Sequence, residues 1–129
     1  MNQLDEARKY EGLEEVRDKA KLQALIKFDP ASQPWCAAFV NAIEKACGRK
    51  GTGLLNARSY LNYGAGVRFD DRQPGDIIVF TRGGNTWQGH VSYYVSDKLG
   101  YVKVIGGNQD NKVCEKLYEV GRILGIRRP

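Results

Sequence analysis

Ser32-Gln33-Pro34-Trp35-Cys36-Ala37-Ala38-Phe39-Val40-Asn41-Ala42-Ile43-Glu44-Lys45-Ala46-Cys47-Gly48 is the most strongly patterned stretch of the chain. Cys36, Phe39, Val40, Ile43 and Cys47 recur at offsets of 3, 4, 7 and 11, so a helix would carry them as one apolar stripe toward a core. Ser32 or Gln33 stands where a cap belongs, and Pro34 suits a first-turn position, where its missing N–H costs nothing. Gly48 provides the stop. Cys36 then falls in the first turn. Unpaired N–H groups and the helix dipole there stabilise an anion, which lowers a thiol pKa and leaves donors for an oxyanion. Two readings of Cys36 stand side by side at this point: a reactive thiolate, or a small buried hydrophobe completing the stripe.

Working outward, residues 4–28 read as helical, broken near Gly12 and stopped at Asp29-Pro30, because the residue before proline is pushed out of the helical region. A short helical stretch follows at Leu54 to Leu61. After Pro74-Gly75 the period changes to two. Asp76–Thr81, His90–Val95, Tyr101–Ile105, Val113–Val120 and Arg122–Ile126 read as strands, with turns at Arg82–Asn85, Asp97–Gly100 and Gly106–Asn111. Helices first and strands later predict an α+β fold with an antiparallel sheet. At 129 residues the expectation is one domain, 1–129, helical over 1–64 and sheet over 75–127.

The net charge of +5 suits an anionic partner, but Lys and Arg are scattered, with no run longer than two, so a dedicated nucleic-acid surface is not expected. No apolar run approaches the roughly 20 residues that would span a bilayer. The first residues carry no apolar core or cleavage site of a secretory signal. Cys36, Cys47 and Cys114 contain no CxxC pair and accompany a single histidine, His90, which speaks against a closed zinc site. Reduced thiols are the default. Cys47 lies at the far end of the helix, where the dipole disfavours a thiolate, and Cys114 has no histidine near it in sequence; both read as core residues. Phosphate loops, GxGxxG and HExxH are missing, and none of Glu14, Glu15, Asp70, Asp71 and Asp76 sits in an apolar frame that would suit carboxylate-pair chemistry.

His90 is therefore the one imidazole available as a base near neutral pH. Strand alternation would put it on a face with Ser92 and Tyr94, and a helix bearing Cys36 could pack on that face to bring thiol and ring together. A base also needs a group to hold its second nitrogen. Asn108, in Gly106-Gly107-Asn108-Gln109, is the favoured orienter, with Gln109 and Asp110 as near alternatives. Trp35 and Trp87 are plausible groove walls, or else core packing.

Four segments in order carry a resemblance: Pro34-Trp35-Cys36-Ala37-Ala38-Phe39-Val40-Asn41, Gln73-Pro74-Gly75-Asp76-Ile77-Ile78-Val79-Phe80, Trp87-Gln88-Gly89-His90-Val91 and Gly106-Gly107-Asn108-Gln109. Together they are similar to the motifs of the CHAP/NlpC-type cell-wall peptidases, in particular a compact phage and prophage group of peptidoglycan hydrolases. Gly51-Thr52-Gly53, Ala57–Leu61 and Leu124–Pro129 extend the likeness over residues 7–129.

The resemblance implies a papain-like core. It implies acyl transfer at an amide of the stem peptide, with Cys36 as nucleophile, His90 as base and Asn108 as polar third member; Trp35, Trp87 and Gln109 are the candidate substrate-binding residues beside them. It implies no cofactor and no metal, peptidoglycan as partner without nucleic acid, and a monomer. The role it points to is an endolysin, made in the host cytoplasm and acting at the cell wall. A secreted antibacterial amidase effector and a catalytically idle wall-binding or virion module are the alternatives. Glu11 to Asp29 departs from the group, which has a more loop-like stretch there where this chain reads helical and charged.

Overall fold

The computed structural model describes residues 2–129. Three α-helices precede the main sheet: α1 (Gln3–Arg8), α2 (Lys19–Ile26) and α3 (Cys36–Ala46). The expected long helical run is thus two short helices. Gly12 turns at φ 94°, and the Glu14 carboxylate accepts the Val16 and Arg17 N–H groups, which caps a turn instead of continuing a helix. The backbone of residues 12–15 bonds to Val113 and Asn111 instead. Glu11 to Asp29 is therefore more loop-like than its charge pattern implied.

α3 also begins later than its cap residues predict. Asp29 and Ser32 close a separate turn, in which the Ser32 hydroxyl donates to the Asp29 carbonyl at 2.6 Å, so Ser32 is not free to cap. Trp35 occupies the cap position without a side-chain cap bond, Pro34 precedes the helix, and Cys36 is its first residue. At the other end Gly48 takes φ 83° and the Arg49 N–H returns to the Glu44 carbonyl. The Leu54–Leu61 stretch becomes a 3-10 helix over Ala57–Asn62, capped by Asn56.

Six strands follow: β1 (Ala65–Gly66), β2 (Ile77–Thr81), β3 (Gly89–Lys98), β4 (Tyr101–Gln109), β5 (Lys112–Glu119) and β6 (Ile123–Arg128). They form one antiparallel sheet in the order β1-β6-β2-β3-β4-β5. All five expected strands are present; β1, only two residues long, was not foreseen. β4 runs through Gly106–Gln109, which the turn-forming residues had assigned to a loop. The turn itself shrinks to Asp110-Asn111, both left-handed at φ 53° and 62°, as a two-residue hairpin requires.

The sheet separates two apolar layers. Ile77, Val79, Val91, Tyr93, Ile105 and Val113 face the helices and pack with Trp35, Phe39, Val40 and Ile43. Ile78, Phe80, Tyr94, Val102, Val104, Tyr118 and Ile126 form the opposite face. Alternation is the cause, since successive side chains of a strand point to opposite sides.

Candidate active site

Cys36 opens α3 and is buried. It meets the sheet where β3 and β4 part. Their ladder runs from Lys98↔Tyr101 to Tyr93↔Ile105 and stops there, which leaves the first residues of β3 unpaired with β4. The amide of Val91, next to His90, points at the Cys36 sulfur, and the amides of Cys36 and Ala37 also favour its anion. Burial nonetheless outweighs them and pushes the thiol pKa up. The expected depression by the helix terminus is therefore not what this buried site delivers.

His90 lies on the sheet face away from α3. Its ring stacks on Tyr118 with centroids 5.1 Å apart, and Tyr118 stacks on Phe80 at 4.8 Å. Contrary to the expectation, the helix packs on the opposite face of the sheet from the histidine. Its first residue, Cys36, instead comes up to the backbone amide of Val91, the residue after the histidine.

Nε2 of His90 is 2.8 Å from Gln109 Oε1 and 2.8 Å from Ser92 Oγ, which itself donates to Gln109 Oε1 at 2.6 Å. Gln109 Nε2 donates to the Cys114 carbonyl at 2.6 Å, which fixes the orientation of the amide. Its oxygen must then accept, so Nε2 of the ring carries the proton and Nδ1 holds the lone pair. Among the described residues Nδ1 has no hydrogen-bond partner, and no side-chain nitrogen or oxygen that is fully buried goes unpaired. Nδ1 is therefore the ring atom left open to the cleft. Burial pushes the His90 pKa down to about 4, helped by Arg82, Arg122 and Lys116 and opposed by the bond to Gln109.

The ring's partner is Gln109, not Asn108, and the reason is a β-bulge. Strict alternation from Val104 would put residue 108 on the histidine's face and residue 109 on the helix side. The β4–β5 register slips between Gly106 and Gln109, with Asn108 left-handed at φ 57°. One extra residue moves Gln109 onto the histidine's face. Gly106 and Gly107 make the approach possible: a Cβ at Gly106 would fall 2.3 Å from Ser92 Oγ, and one at Gly107 2.7 Å from Phe39 and Trp35.

Asn108 instead lines a cleft of about 230 Å3 with Arg82, His90, Lys116, Tyr118 and Arg122. Asp110 is exposed and pairs with Lys116. Cys36 opens on a neighbouring cleft of about 180 Å3 bordered by Pro34, Leu55, Asn56, Ala57, Arg82, Trp87, Gln88 and Gly89. Trp87 is 70% exposed there, on a loop that Arg58 ties down through the Gln88 and Asn85 carbonyls. Trp35 is no groove wall: it is wholly buried and its indole N–H donates to Glu15 at 2.9 Å. Gln109 is likewise buried, so it contacts the histidine rather than a ligand. Strand alternation makes Ser92 a face-mate of His90, and its place at i+2 on the same strand is the sequence signal for the closer contact that its hydroxyl makes with the ring. Cys47 and Cys114 are free thiols, and that of Cys114 donates to the Gln109 carbonyl at 3.3 Å.

A helix that presents a cysteine at its first residue to a histidine-bearing antiparallel sheet defines the papain-like α+β class. Two solved structures share the fold over 98% of this chain. One is described as similar to lipoprotein, NLP/P60 family, from Staphylococcus aureus (20% identity, TM-score 0.63), and the other is an NlpC/P60 family protein from Bacillus cereus (18% identity, TM-score 0.62). The chain spans 39% of the length of each. No curated protein matches it in sequence. The CHAP domain family model matches residues 28–108, and the chain belongs to that family. No helix among the described residues is long and apolar enough to cross a membrane.

Proposed function

We propose that the chain hydrolyses an amide of the peptidoglycan stem peptide, with Cys36 as nucleophile, His90 as base and Gln109 holding the ring. The observation that carries this reading is the bonding of His90: Nε2 is committed to Gln109, Nδ1 has no partner among the described residues, and the next residue's amide, that of Val91, points at the Cys36 sulfur. Ser92 supports the same arrangement from its own strand.

At rest both groups are neutral, because burial raises the thiol pKa and lowers that of the imidazole. Nδ1 therefore takes the thiol proton as sulfur attacks the carbonyl carbon, closing on the thiol when substrate enters. The developing oxyanion is met by N–H groups of the first helical turn, which have no acceptor inside the helix. The imidazolium then protonates the leaving amine. Water, deprotonated by the same nitrogen, resolves the thioester and returns the thiol.

The net charge of +5 agrees with work at an anionic wall, and we place the activity there, in an endolysin's role and as a monomer. The test is digestion of purified peptidoglycan, followed by counting new amine termini and by mass spectrometry. Wild type is expected to release them and Cys36→Ala to fall by at least about 1,000-fold. Equal release by the two proteins would overturn the mechanism.

A further inference from the structure

The cleft beside His90 is lined by three cations, Arg82, Lys116 and Arg122, with Asn108 and the Tyr118 ring between them. Their existing partners are few. Arg122 donates to the Thr81 carbonyl at 2.8 Å, and Lys116 meets the exposed Asp110 at 2.8 Å. Among the described residues Arg82 has neither an ion pair nor a side-chain hydrogen bond. The adjoining cleft at Cys36 has a different character, with Pro34, Leu55, Ala57 and Trp87 among its walls. Arg82 borders both clefts and marks the boundary between them.

The chemistry assigns the two clefts to the two halves of a substrate. Sulfur acquires the acyl group, so the acyl half lies along the Cys36 cleft. The proton taken by Nδ1 must be delivered to the departing nitrogen, so the amine half lies on the histidine's side. We propose that the residue contributing the leaving amine carries a free carboxylate, which Arg82, Lys116 and Arg122 hold in the cleft beside His90. This rests on the hydrolase reading above and narrows its substrate. Guanidinium groups suit the task because they grip a carboxylate with paired N–H donors, and the desolvated wall of Tyr118 strengthens the attraction. An amine-side residue whose only carboxyl is blocked as an amide would leave Arg82 and Arg122 without a counter-charge and Lys116 with only the exposed Asp110.

The experiment uses synthetic stem-peptide pairs that differ only in a free carboxylate or a primary carboxamide on the amine-side residue. Calorimetric binding to Cys36→Ala is expected to favour the carboxylate about 10- to 100-fold, the scale of a charged hydrogen-bonded contact. In turnover by wild type, kcat/KM should favour it by a similar factor. Arg82→Gln and Lys116→Gln should each shrink both ratios toward one. Equal binding of the pair, or a ratio unchanged in both variants, overturns the proposal. If binding discriminates but neither peptide is cleaved by folded wild type, the carboxylate site stands and the hydrolase reading falls. Cleavage of both peptides at equal efficiency leaves the hydrolase and removes the site.

Discussion

Two buried polar clusters lie near opposite ends of α3, and they are bonded very differently. Glu44, in the last turns of the helix, is fully buried. Its Oε1 accepts from Arg49 Nε at 2.7 Å and Tyr63 at 2.8 Å, and its Oε2 from Arg49 Nη2 at 3.2 Å and Tyr93 at 2.8 Å. Every acceptor direction of that carboxylate is taken. His90, at the other end, has one nitrogen held by two partners and the other held by none among the described residues. A buried charge saturated with donors is a structural brace, whereas a buried base with one open nitrogen keeps a bond free, as the role proposed for His90 requires. Burial alone does not distinguish the two; the unfilled bond does.

The sharpest break of this contrast is His90→Ala. Loss of the open nitrogen is expected to lower kcat/KM on wall fragments by about 100- to 10,000-fold, with circular dichroism confirming the fold. Glu44→Gln should do the reverse. Breaking the saturated pair is expected to remove about 3 kcal/mol of unfolding free energy, measured in denaturant, while activity per folded molecule stays close to wild type.

Acidification separates the clusters in another way. An unfolded imidazole titrates near its ordinary value of about 6.5, whereas the folded ring is held down at about 4. Between those values the unfolded chain binds a proton that the native ring refuses. The stabilisation is therefore complete above the upper value and is lost as pH falls to the lower one, amounting to about 3 kcal/mol. Wild type should lose that much more than His90→Gln between neutral pH and the acid end, read as the difference between their denaturation curves.

The smallest effects concern the third residue. Gln109→Ala is expected to lower kcat/KM by about 10- to 100-fold, the usual scale for a group that orients another. Asn108→Gly, which suits a left-handed backbone, should change it by only a few-fold. If the two losses came out in the opposite order, the bulge would have been assigned the wrong partner.

That bulge also marks how far the chain could be read as a sequence. Cys36 at a helix start and His90 on a strand were legible because each depends on a local pattern, apolar stripe or alternation. The third partner was not. Alternation favours Asn108, and only a left-handed residue inside β4 shifts the phase to bring Gln109 forward. The burial of Trp35 was equally hidden, since it depends on Glu15 and Gly107, which approach it from distant parts of the chain. The raised thiol pKa had the same origin: the terminus of a helix is a local feature, but the dryness around it is tertiary.

The sheet order β1-β6-β2-β3-β4-β5 shapes the birth of the molecule as well as its finished form. During synthesis β2 to β5 emerge as successive hairpins, each able to close on the one before it. The other edge of β2, whose residues Ile77 to Phe80 are all buried in the end, waits for β6. A nascent chain in that interval presents an unpaired, apolar strand edge, the kind of surface on which chains stick to one another. Ile123–Arg128 lines neither the Cys36 cleft nor the His90 cleft, yet a chain cut short before it would keep both residues and leave that apolar edge uncovered.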